Sequence, residues 1–187
     1  MSQLVAPTEA PAATPERKFV KLWTVADLEP VLKQDQRPRH FEAGRKIFQE
    51  TGCTKCHLLK GEGFPIGPDL SKVQEKFKGV ELLRQILEPS LKIDPEYTAY
   101  LVMKSDYTAV TGFLVEEGKD AITIRDAVFY SEEPLVIPRS EIEALRKAPL
   151  SAMPTSLLST FTAAEILDLL AFVEAGGDPE AAVYKNP

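Results

Sequence analysis

Cys53-Thr54-Lys55-Cys56-His57 gathers both cysteines of the chain and one of its two histidines into five consecutive positions. This C-x-x-C-H spacing is the attachment pattern of c-type haem. Two thiols three residues apart reach two neighbouring vinyl groups on one porphyrin edge, and the histidine after the second thiol is carried under the iron. Other uses of the same residues demand more than the sequence supplies. A thioredoxin-like C-x-x-C wants a strand before it and a βαβ context, whereas FEAGRKIF ahead of Cys53 reads as a helix. A zinc site needs four N or S ligands, and only His40 and carboxylates remain. A disulfide across two residues is a poor staple for a domain of this size.

The stretch after the motif is rich in glycine and proline and ends in Gly67-Pro68-Asp69-Leu70. A metal-bound imidazole normally donates its second N–H to a fixed acceptor. The Pro68 carbonyl on this stiff loop is the candidate, although Gly-Pro-Asp is also ordinary turn chemistry. Iron held by one histidine keeps a second axial position, and its occupant decides the chemistry. Met1 lies in a linker-like stretch and Met103 in an alternating strand, where methionine usually fills space. Met153 sits between helices in LSAMPTSLL, pinned by Pro154, and is the favoured ligand. His40, Met103 and an empty position stay open beside it.

Helical patterning starts at Thr24, which caps with Asp27 ahead of Val25, Leu28, Val31 and Leu32. A second helix is expected over 39–50, with Phe41, Gly44, Ile47 and Phe48 on one face and Gly52 as its stop. SKVQEKF and GVELLRQIL read as two further short helices, the latter ended by Pro89. Residues 95–140 then change to β-branched and aromatic segments separated by GKD and SEE, with Tyr97, Tyr100, Tyr107, Phe113, Phe129 and Tyr130 among them. About four antiparallel strands are expected there, as a small barrel or sheet. SEIEALRK reads as a short helix capped by Ser140. The final helix has a capping box at Thr162 and Glu165, the stripe Ile166, Leu169, Leu170 and Val173, and a Gly176-Gly177 stop.

A formal charge of −6 argues against nucleic acid, whose binding needs clustered Lys and Arg. No apolar run reaches the length of a membrane span. Residues 1–18 are Pro/Ala/Thr-rich, read as a flexible linker or tail, and lack the features of an export signal.

The order GRKIF, CTKCH, GPDL, A-M-P and EILDLLAFV resembles class I cytochrome c. In that family the first and last helices cross at the haem edge; the matching positions here are Gly44 and Phe48 against Leu169 and Phe172. With GEG-x-x-x-GPDL, LLRQILEPS, the strand-rich segment, IPRSEIE and S-A-MP-x-x-LL added, the chain is most similar to the planctomycete-type haem-binding domain. That resemblance covers Trp23 to Gly177 and accounts for the long separation of His57 from Met153. It implies a mainly α cytochrome c fold with an inserted antiparallel β-barrel or sheet, α+β overall. The expected parts are the linker 1–18, haem-domain segments 19–94 and 141–178, the β-rich insertion 95–140 and a tail 179–187. It further implies one covalently attached haem c on Cys53 and Cys56, axial ligands His57 and Met153, and Gly67, Pro68 and Phe48 lining the cofactor. The expected role is single-electron transfer rather than catalysis, for a redox partner protein or fused dehydrogenase domain. The alternative is a haem enzyme or gas-sensing module with a labile sixth ligand. Thioether attachment takes place outside the bacterial cytoplasm, so a periplasmic location is expected. This agrees with the missing export signal if residues 1–18 replace upstream protein, or if the chain is a fragment.

Overall fold

A computed structural model describes residues 17–126 and 133–185. Phe129 and Tyr130, Met1 and most of the expected linker lie outside the described residues. Among those described, four helices and five strands follow the chain in the order α1 (Val25–Gln34), α2 (Phe41–Glu50), α3 (Gly79–Leu87), β1 (Tyr100–Lys104), β2 (Ala109–Glu117), β3 (Ala121–Asp126), β4 (Leu135–Pro138), β5 (Ile142–Lys147) and α4 (Ala163–Glu174).

The helix starts are set by reciprocal caps. Thr24 N–H donates to the Asp27 carboxylate at 3.0 Å while Asp27 N–H donates to Thr24 Oγ1 at 3.2 Å. Thr162 and Glu165 repeat the arrangement at the head of α4. Each cap satisfies N–H groups that the first helical turn leaves without partners. The apolar stripes then close one core: Leu28 from α1, Ile47 and Phe48 from α2, Leu82 and Leu83 from α3, and Ile166, Leu169, Leu170 and Phe172 from α4 are all buried there.

In this core α2 and α4 approach each other closely at Gly44. A Cβ added at Gly44 would stand 2.3 Å from Asp168 O and 2.6 Å from Phe172 Cβ. Only a residue without a side chain lets the two backbones meet at this point. Phe48 and Phe41 complete the crossing, with ring centroids 5.5 Å and 5.3 Å from Phe172.

The strands form one antiparallel sheet in the order β4-β3-β2-β1-β5. Of the barrel or sheet expected for this segment, the sheet is observed: among the described residues it is open, with β4 and β5 as its edges. One expectation is corrected. SEIEALRK is not a helix: Arg139–Glu141 makes a single 3₁₀ turn, and the rest is β5, paired with β1 from Tyr100↔Lys147 to Lys104↔Ile142. The local sequence is compatible with a helix, but the edge of β1 offers a row of N–H and C=O groups that a strand satisfies and a helix would not. The β-rich segment therefore runs to Lys147 rather than residue 140. Val102, Ile122, Ile124 and Ile137 are its buried nucleus, separate from the helical core.

Three smaller differences follow. SKVQEKF supplies only the 3₁₀ turn Val73–Glu75. Arg17, inside the expected linker, is anchored by ion pairs to Glu50 at 2.7 Å and Glu165 at 2.8 Å. At the other end Tyr184, in the expected tail, sets its ring edge-on to Phe41 at 5.6 Å.

Candidate functional site

The motif is built directly on the end of α2. Gly52 takes a positive φ of 74°, turning the chain out of the helix and into the 3₁₀ turn Cys53–Lys55. Cys56 N–H and His57 N–H both donate to Cys53 O, at 3.2 and 2.9 Å. The following loop folds back over this turn and takes up its remaining carbonyls. Phe64 N–H donates to Thr54 O at 3.0 Å, and Ile66 and Gly67 N–H donate to Cys56 O at 3.0 and 2.6 Å. Gly63 permits the wrap: its φ is 106°, and a Cβ there would stand 2.2 Å from His57 O. The motif is therefore held by backbone hydrogen bonds on both sides of its 3₁₀ turn.

Within it, His57 Nδ1 lies 2.9 Å from Pro68 O. A carbonyl only accepts, so Nδ1 carries the proton and Nε2 keeps its lone pair. Burial pushes the His57 pKa below its ordinary value, against the smaller opposing effect of the Pro68 hydrogen bond. Gly67 closes one side of the ring, since a Cβ there would stand 2.9 Å from Cε1.

Cys53 packs against the helical core, and its Sγ is 3.1 Å from Thr51 Oγ1. Burial raises its thiol pKa. A dithiol that works by exchange needs the opposite shift, because the thiolate is the attacking species. The helix ahead of Cys53 removes the strand that such a motif requires. Among the described residues no three His, Cys, Asp or Glu side chains form a metal-holding group.

Cys53, Cys56, His57, Gly67 and Pro68 thus share one loop system. Phe48 lies one and a half turns earlier on α2 and is 2% exposed, filling the α2–α4 crossing. Met153 is on a separate loop between β5 and α4, half-buried. Its N–H donates to Ser151 Oγ at 3.2 Å, and Ser151 N–H donates to Ser90 Oγ at 3.0 Å, which ties that loop to the end of α3. Met103 is engaged on the sheet, its Sδ accepting from Arg146 Nη2 at 3.3 Å. His40 is the exposed N-cap residue of α2, and its N–H donates to Asp168 Oδ1 at 3.1 Å.

A feature absent from the sequence reading adjoins the motif loop. Leu58, Ile66 and Gly67 face Tyr97, Phe113 and Arg125 across a cleft of about 380 Å³. In the sequence, Arg125 is only the polar alternate of a strand. Its position against the motif depends on how the sheet packs, for which the local pattern carries no signal.

Comparison with known proteins bears on the same region. A family model described as cytochrome c matches residues 41–117, from α2 through the motif, its loop and α3 into β2, and ends before Met153 and α4. No curated protein matches the chain. The match supports a cytochrome c-like domain, whose cofactor is covalently attached haem c and whose work is electron transfer. The residues fit that cofactor: two thiols three positions apart, and an imidazole with one nitrogen fixed and the other available. No helix among the described residues is long and apolar enough to cross a membrane.

Proposed function

We propose that this chain is a one-electron relay in which Cys53 and Cys56 carry the thioethers and His57 and Met153 are the axial ligands. The observation that carries the reading is the 2.9 Å contact between His57 Nδ1 and Pro68 O. It fixes the tautomer, leaves Nε2 as the metal-facing nitrogen and makes the imidazole a better donor. Haem c supplies the one-electron couple. Burial of His57 favours the neutral imidazole, the form that can ligate. Met153, on its Ser151–Ser90 tether, would supply a thioether to the iron. That choice raises the potential relative to two imidazoles and denies the position to substrates.

In this reading the helices before β1 and after β5 make the haem lobe, and the sheet is the insertion that marks the planctomycete-type haem-binding domain. The electron partner is a separate redox protein or a fused dehydrogenase domain, and the compartment is the periplasm, where thioether attachment takes place. The chain's negative charge favours a basic partner and a salt-dependent on-rate.

Absorption spectra of the matured protein test the ligand set. Met153→Ala is expected to lose the weak long-wavelength charge-transfer band of methionine-ligated ferric haem and to bind carbon monoxide when reduced. Met103→Ala is expected to keep the band. Retention of the band in the Met153 variant would falsify the assignment, and carbon monoxide binding by the unaltered protein would favour a sensor or enzyme with a labile sixth ligand.

A further inference from the structure

Arg125 Nε is shut off from solvent and has no hydrogen-bond partner among the described residues. A polar group buried in this way is destabilising, the more so when it is charged. The alternation of β3 explains its placement. Ile122 and Ile124 enter the sheet nucleus, so Arg125 emerges on the opposite face beside its cross-strand partner Phe113. Both line the cleft against the motif loop, together with Tyr97.

Two carboxylates line the same cleft, Asp69 and Glu96, yet neither is ion-paired to Arg125 among the described residues. Asp69 is taken by Ser71, whose N–H donates to it at 2.8 Å. A guanidinium that lines the cleft without pairing to either carboxylate is placed for another anion. Gly67 indicates which one, since it is a wall of this cleft and also closes on the His57 ring. The group attached beside His57 brings two carboxylates of its own.

We propose that Arg125, contributed by the sheet, binds a haem propionate and positions the cofactor. The planar guanidinium matches a carboxylate through two parallel N–H donors. A propionate in the cleft would pair with the outer N–H groups of the guanidinium, whose charge offsets repulsion by Asp69 and Glu96. This assignment rests on haem attachment at the motif and is independent of which residue fills the second axial position.

The sign of the effect follows from charge. Reduction removes one positive charge from the iron, so a nearby cation favours the reduced form, and losing it lowers the potential. In spectroelectrochemical titration of the matured protein, Arg125→Gln is expected to shift the equilibrium about tenfold toward ferric, which is 59 mV for one electron. Arg125→Lys keeps the charge and is expected to retain most of the potential, but it alters the propionate bending band in resonance Raman spectra because the two-pronged geometry is lost. The long-wavelength charge-transfer band should survive in both variants, which separates this result from failure of the Met153 assignment. An unchanged potential in Arg125→Gln overturns the proposal. So does a wild-type potential that shifts and saturates as inorganic phosphate is added, in an Arg125-dependent way, because the cleft then serves a free anion. If the glutamine variant does not mature, an unaltered Raman band in the lysine variant overturns it equally.

Discussion

A chain carrying both Cys53→Ala and Cys56→Ala is expected to emerge from a maturation-competent host without the mass of one prosthetic group. Each thioether is a covalent bond to a single thiol, so removing both abolishes attachment outright. The check is intact-protein mass spectrometry with acid–organic extraction of the pigment. The two single variants sharpen the result, since each keeps one anchoring thiol. Cys56→Ala tests attachment at the second thiol, whereas Cys53→Ala also removes a side chain that packs on the helical core. The attached cofactor adds apolar contacts that only the folded state makes, so the double variant is also expected to unfold at lower temperature. A covalently coloured double variant would end the attachment scheme.

Gly44→Val is expected to be the most damaging single substitution in the helical core. The new Cβ would fall 2.3 Å from a backbone oxygen of α4, and backbone cannot move aside as a flexible side chain can. Overpacking of this kind typically costs about 1–3 kcal/mol and sometimes more. Gly44→Ala separates the contributions. Intrinsic helix propensity favours alanine by about 1 kcal/mol, so a net loss would be due to the crossing alone. For a chain of this size a loss of about 3 kcal/mol lowers Tm by roughly 6–12 °C. Thermal melts of the holoprotein by circular dichroism measure it. A Tm for Gly44→Ala at or above wild type would show that α2 and α4 do not meet as described.

Much of this was legible in the sequence because local chemistry and tertiary structure agree. The caps at Thr24 and Thr162, the stop at Gly52 and the face shared by Gly44 and Phe48 each have a short-range signal that packing reinforces. The Pro68 carbonyl followed from what a ligating histidine requires, and the contact to His57 is present. Where local and distant preferences diverge, the local pattern misleads. Ile142 and Leu145 sit at helical spacing, yet β1 needed an edge partner and drew the segment into the sheet. Arg125 had no local signal, since its neighbours across the cleft are tens of positions away in the chain.

The base of the sheet has a consequence of its own. Tyr100 and Lys147 are register partners, and Ala148 N–H donates to Ala99 O at 2.8 Å, so the polypeptide departs and returns at adjacent points. Whatever is strung between those two alanines can lengthen, shorten or be exchanged without displacing α3 or α4. A tight hairpin spliced across the gap would test whether the helices fold and take up the pigment without the strands.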